Sequence, residues 1–187
     1  MAAATQPSAP VTQLTFREAT EADIPALLAL IRSAYRGESS RAGWTTEADL
    51  VADERIDAAG LRAKIGEPEG AVLLATDAQG RLAACCELLR RDAALAYFGL
   101  FAVDPKRQAG GIGRQVLAYA EGYARAQWGV RGLEMSVIWT REELIAWYVR
   151  RGFVRTAETA PFPYESLVNG EALRDDLHFT ILRKELV

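Results

Sequence analysis

The sequence predicts an α/β fold built on a mixed central sheet, and three observations predict it. Three apolar, strand-like runs separated by short turns lie between Ala71 and Val103, the pattern of an antiparallel meander. The last run stops at Asp104-Pro105 and gives way to Gly110, Gly111 and Gly113, where Ile112, Val116 and Ala120 begin helical spacing. Another apolar run, Leu133 to Trp139, follows that helix, and a crossover helix joining two strands of one sheet makes them parallel. Antiparallel and parallel neighbours then share one sheet.

A chain of 187 residues suffices for one domain with a substantial core, and a half-hydrophobic, quarter-charged composition is ordinary for a soluble protein. With a net charge of −3 and scattered basic residues, the chain lacks the basic face of a nucleic-acid binder. No apolar stretch suggests a membrane span, and a mildly acidic surface suits a cationic amine substrate. Adjacent strand residues point to opposite faces, so Cys85 and Cys86 are expected as packed, reduced thiols, neither disulfide framework nor metal site. With a single histidine, no metal centre is expected. Residues 1–12, rich in Ala, Ser and Pro at their start, are expected to be a flexible tail before a single domain over 13–187. The tail lacks the basic flank and apolar core of a secretory signal, which together with free cysteines points to the cytoplasm.

Leu14 and Phe16 mark a short first strand. Thr20 then caps a helix, with Asp23 three residues on, Pro25 in the first turn and Ile24, Leu27, Leu28, Ile31 and Tyr35 on one apolar face. The polar, glycine-bearing stretch from Arg36 to Gly70 is predicted to hold helical segments at Glu47–Arg55 and Asp57–Ile65. Two strands joined by the Asp77–Gly80 turn and a third from Leu95 to Val103 complete the meander. The crossover helix runs from Gly111 to about Trp128. After the Leu133–Trp139 strand, Thr140 is expected to cap a helix that stops at Gly152, followed by a strand from Phe153, a Pro-Phe-Pro loop at 161–163 and a last strand at Leu177–Leu182.

Glycines at a helix start let an anion reach the unpaired N–H groups of the first turn at the positive end of the helix dipole, and the expected anion is a phosphate. A nucleotide P-loop would need Lys then Ser or Thr after the last glycine, where Arg114 and Gln115 stand. A dinucleotide turn would need a small residue at Val116. What remains is Gln108-Ala109-Gly110-Gly111-Ile112-Gly113, which fits Gln/Arg-x-x-Gly-x-Gly/Ala and resembles the acetyl-CoA loop of the GNAT acyltransferase superfamily. The opening Phe16-Arg17-Glu18-Ala19-Thr20 and the segment Trp147-Tyr148 with Gly152-Phe153 resemble two further stretches of the same superfamily, so the resemblance covers about Phe16 to Leu186.

The resemblance implies a mixed sheet of about seven strands with flanking helices, whose two parallel strands splay apart to admit acetyl-CoA as cosubstrate. Its pantetheine arm would pair with the backbone of Phe101, Ala102 and Val103, and its pyrophosphate would sit on Gln108, Ala109, Gly110, Gly111, Ile112, Gly113 and Arg114, with Arg107 and Arg114 side chains as further contacts. Tyr148 matches the family's proton donor to the departing thiol. Relatives often place a carboxylate base on the strand before the glycine loop; this chain has none there, leaving Glu87, Glu47 or a water chain. Arg141 stands where relatives often have Asn, and could meet a phosphate. By position, Tyr35, Trp44 and Glu47 are candidates for acceptor contact, whereas His178, between apolar neighbours, reads as a packed residue. The implied function is acetyl transfer to the primary amine of a small molecule or amino acid. A protein N-terminus or lysine as acceptor, and an acyl-CoA sensor without turnover, are the rivals, and a homodimer is compatible with the fold.

Overall fold

The structure, a computed structural model, describes residues 13–187; the expected tail over 1–12 lies outside them. β1 (Thr15–Glu18) leads through a 3-10 turn into α1 (Ile24–Tyr35). The entry to that helix is set by Asp23, whose carboxylate accepts from the Thr20 N–H at 2.8 Å and from Arg17 at 2.7 Å. α2 (Gly37–Ser40), β2 (Val51–Ala52) and α3 (Ala58–Ile65) follow, the last capped by the Asp57 carboxylate on the Gly60 N–H. The meander is β3 (Gly70–Thr76), β4 (Leu82–Arg90) and β5 (Leu95–Val103). α4 (Ile112–Trp128) crosses over to β6 (Gly132–Ile138), and α5 (Glu142–Val149), β7 (Val154–Pro161), β8 (Glu171–Ala172) and β9 (His178–Glu185) complete the chain.

The main sheet has seven strands in the order β1-β3-β4-β5-β6-β9-β7, with β5 and β6 parallel and every other pair antiparallel. β3 and β4 are apolar and buried almost without a break, so both faces of the sheet must be covered. Leu73, Cys86 and Leu133 face α4 and α5 in one core; Val72, Leu74 and Cys85 face α1 and α3 in another. The adjacent cysteines thus lie on opposite faces, buried and unpaired with each other, and burial pushes the Cys85 thiol up to about 12.

One irregularity decides where the sheet opens. Between the pairs Cys85–Ala102 and Glu87–Gly99, the single residue Cys86 on β4 faces two on β5, Leu100 and Phe101. That bulge shifts the alternation: Ala96 and Phe98 belong to the core under α4, while Leu100 and Ala102 belong to the core under α1. Leu100 carries a positive φ of 46°, a conformation that costs a side-chain-bearing residue on the order of 1 kcal/mol. The parallel ladder to β6 comprises Leu95–Gly132, Ala96–Leu133 and Tyr97–Glu134 and stops before the bulge.

Two expectations are corrected. Glu47–Arg55 is a single turn, closed by the Leu50 and Val51 N–H groups on the Glu47 carbonyl, and then β2, which pairs with β8 in a separate two-stranded sheet. A long-range strand partner overrides the local helical tendency. Arg141, not Thr140, occupies the N-cap of α5, and the Thr140 hydroxyl is buried without a hydrogen-bond partner. No helix among the described residues is long and apolar enough to cross a membrane.

Leu133 is fully buried beside the point where β5 and β6 part. Leu133→Ala is expected to lower stability by about 3 kcal/mol, read as a lower urea midpoint at unchanged slope.

Candidate active site

The glycine loop is shaped by its backbone. Pro105–Gly110 forms a 3-10 segment whose start is held by the Asp104 carboxylate on the Lys106 N–H. Gly111 then takes φ 73°, where an added Cβ would be strained, and reverses the chain into α4. The first hydrogen bond of α4 runs from the Gln115 N–H to the Gly111 carbonyl, so the N–H groups of Ile112, Gly113 and Arg114 have no acceptor within the helix. A Cβ on Gly113 would come within 3.3 Å of the Trp147 ring and 3.4 Å of the Phe101 ring, so glycine lets α4 approach these aromatics.

In front of this loop lies a cavity of about 360 Å³. Val103, Gln108, Gly111, Gly113 and Arg114 form its loop side, and Leu144, Trp147, Tyr148 and Arg151 its α5 side. The Arg151 guanidinium stacks 3.5 Å from the Trp147 ring centre and donates to the Trp147 carbonyl at 2.7 Å. Its Nε is buried without a partner among the described residues, and burial together with the charges of Arg150 and Arg114 lowers its pKa. Two cations beside helix N–H groups that have no acceptor within the helix make this end suited to an anion.

A second cavity of about 160 Å³ adjoins the first, and Tyr35, Phe101, Arg141, Leu144 and Tyr148 line both. Tyr148 therefore stands at their junction. It is buried, its hydroxyl has no hydrogen-bond partner among the described residues, and burial raises its pKa, which keeps the phenol protonated. The Tyr35 hydroxyl donates to the Phe101 carbonyl at 2.6 Å, tying α1 to the bulged stretch of β5.

Charged side chains form the floor of the second cavity. Glu47 is buried, with one carboxylate oxygen 2.7 Å from Arg36 and the other 2.5 Å from Arg141. Burial alone would raise its pKa; the guanidinium charges of Arg141, Arg55 and Arg36 outweigh that and hold it below the usual carboxylate range. Arg36 also meets Asp53 at 2.5 Å, and Arg141 donates to the Thr45 carbonyl. Arg55 has φ 65° and holds its guanidinium 5.2 Å from the Tyr35 ring centre. Phe162, Pro163, Leu167 and Phe179 close the cavity on the far side.

The candidate residues divide accordingly. Tyr35, Phe101, Arg141 and Tyr148 border both cavities; Trp44, Val103, Gln108, Gly111, Gly113 and Arg114 border the first, and Glu47 the second. Ala102 and Ile112 point their side chains into the core, leaving only backbone for a ligand, and the exposed Gly110 lines neither cavity. The Gln108 side chain acts as a strut, accepting from the Trp44 N–H at 3.0 Å and donating to Thr45 at 2.8 Å. Arg141 turns away from the glycine loop, toward Glu47. Arg107 is paired with Asp77 at 3.1 Å. Glu87 lines neither cavity, and both its oxygens accept from Lys64, at 2.7 and 2.9 Å. His178 stacks on Trp139, with ring centres 5.4 Å apart.

Sequence reasoning passed over Arg151, Arg36, Asp53 and Arg55. Arg151 was legible, because it stands four residues after Trp147 and three after Tyr148, a spacing that brings side chains together over one helical turn. The other three come together only through the path of the segment over 36–57, which no local pattern announces.

The sequence profile of the Acetyltransferase (GNAT) family matches residues 26–153, and the chain belongs to that family of N-acetyltransferases. Solved structures of similar fold include a spermidine N-acetyltransferase from Vibrio cholerae in complex with CoA and spermine, 17% identical, covering 93% of this chain and 96% of that one at a TM-score of 0.67. A candidate phosphinothricin N-acetyltransferase is 20% identical over 94% of this chain and 99% of its own, at a TM-score of 0.66. A GNAT acetyltransferase from Staphylococcus aureus is 14% identical over 94% of this chain and all of its own, at 0.65. No curated protein matches the sequence.

Glu47→Gln would leave Arg36 and Arg141 facing a neutral amide in a buried site and is expected to cost about 3 kcal/mol of stability. Because the folded-state pKa of Glu47 is depressed, its contribution is present above the ordinary pKa of an unfolded-chain glutamate and lost as pH falls through the folded value. Urea titrations at descending pH should show a shallower acid loss in Glu47→Gln than in wild type.

Proposed function

We propose that the protein transfers the acetyl group of acetyl-CoA to the primary amine of a small molecule where its two cavities meet. The observation that carries this reading is the shared wall: one cavity ends on an anion-suited glycine loop, the other on a charged floor, and Tyr148 opens onto both. The residues present fit CoA. The N–H groups of Ile112–Arg114, without acceptors within α4, and the cations of Arg114 and Arg151 suit its pyrophosphate, and β5 beyond Tyr97, without a β6 partner, suits its amide-bearing arm. The small second cavity favours a small acceptor over a protein segment.

Acetyl-CoA, when bound, supplies an acetyl thioester for attack by a neutral amine. Holding both reactants across one wall supplies much of the rate. A thiol has an ordinary pKa of about 8.5, below a phenol's of about 10, and burial raises Tyr148 further. Full proton transfer from Tyr148 to the sulfur is therefore uphill. Its role is to donate a hydrogen bond to the departing sulfur, while the proton the sulfur finally carries comes from the attacking nitrogen. A depressed Glu47 with both oxygens engaged is a weak base, so an acceptor that arrives as an ammonium loses its first proton to water.

Tyr148→Phe is expected to lower kcat by about 100-fold with the KM for acetyl-CoA little changed, as measured by thiol release. Arg151→Ala is expected to raise that KM about tenfold, the effect of one charge-assisted contact. Tight CoA binding without thiol release on any amine would instead favour an acyl-CoA sensor.

A further inference from the structure

The second cavity contains more positive charge than its own carboxylates neutralise. Arg36, Arg55 and Arg141 line it with Glu47 and Asp53. Arg36 engages both carboxylates and Arg141 takes the remaining oxygen of Glu47. Arg55 makes no hydrogen bond or ion pair among the described residues; it rests its guanidinium on the Tyr35 ring and acts on Glu47 and Asp53 only through its charge, which leaves its donors for a ligand. Neighbouring Glu54 offers it nothing, being paired with Arg32 at 2.6 Å. A half-buried guanidinium has given up part of its hydration, and its planar fork of donors matches an oxyanion.

We infer, resting on the acetyltransferase reading above, that the acceptor is an amine that also carries an oxyanion, and that Arg55 binds the oxyanion. A polyamine would bring only cations to a cavity whose carboxylates are already engaged, with Arg55 repelling it. The mildly acidic chain as a whole suits cationic substrates, but the local charge is the reverse.

The test compares matched amines with and without the anion: propylamine, 2-aminobutyrate and 1-aminopropylphosphonate; 2-phenylethylamine and phenylalanine; and spermidine. Thiol release from acetyl-CoA is followed for wild type, Arg55→Gln and Arg55→Lys. The wild type should favour an anion-bearing member over its matched amine by about 30-fold in kcat/KM, within the range of one charged hydrogen-bonded pair. Arg55→Gln should erase that preference through the acceptor KM at unchanged acetyl-CoA KM, and Arg55→Lys should restore part of it. The carboxylate and phosphonate arms distinguish which oxyanion is taken. Equal turnover of matched members, a preference for spermidine, or a preference that survives in a folded Arg55→Gln protein would each overturn the inference. Absence of turnover on every amine contradicts the acetyltransferase reading instead, and calorimetry on CoA-saturated protein then decides: anion-dependent binding lost in Arg55→Gln supports the role of Arg55, and no such binding refutes it.

Discussion

The molecule depends on the point at which β5 leaves β6. Up to Tyr97 and Glu134 the two strands pair in parallel; beyond them the Leu100 bulge moves alternate side chains of β5 to the opposite face. The left-handed Leu100 is strained, and the price is offset by burial of Leu100 and Ala102 under α1. Parting the strands exposes an edge of backbone in the middle of the sheet, where edges are otherwise avoided. It also makes room for Tyr148 to open onto both cavities and brings Tyr35 within reach of the Phe101 carbonyl.

Charge, more than apolar burial, shapes the second cavity. Arg36 lies just beyond α1 and Arg141 at the N-cap of α5; Glu47 joins them, and Asp53 holds Arg36 from the other side. A small apolar cluster around Val51, Phe162 and Leu177 and the β2–β8 pair secure the same segment from outside. Such buried pairs gain little net stability, since desolvation offsets attraction, but they tolerate few alternative arrangements. A segment held in this way fixes the floor of a cavity and leaves Arg55 there with no hydrogen bond or ion pair among the described residues.

What could be read in advance follows from how local each feature is. The glycine loop, the apolar face of α1 and the opposed cysteines rest on spacing within a few residues, and the sheet and its helices follow from them. Val51 and Ala52 find their strand partner at residues 171 and 172, so the turn at Glu47 looked helical in sequence. Glu87 is a strand carboxylate of the right chemistry, yet Lys64 from α3 claims it, and a pairing between distant elements leaves no periodic trace. Arg141 could be read as a phosphate ligand from its place in the chain, but its direction is set by Glu47, almost a hundred residues away. The glycine-loop side was therefore far more legible than the second cavity.

On the proposed reading, the two cavities are the donor and acceptor halves of one reaction site, with Tyr148 between them. A crystal structure with CoA, its sulfur located by anomalous scattering, tests this most directly. The pyrophosphate is expected on the Gly111–Arg114 turn near Arg151, the arm along β5 beyond Tyr97, and the sulfur within hydrogen-bonding reach of the Tyr148 hydroxyl. A sulfur lying outside the shared wall, with Tyr148 facing neither thiol nor acceptor, would contradict it.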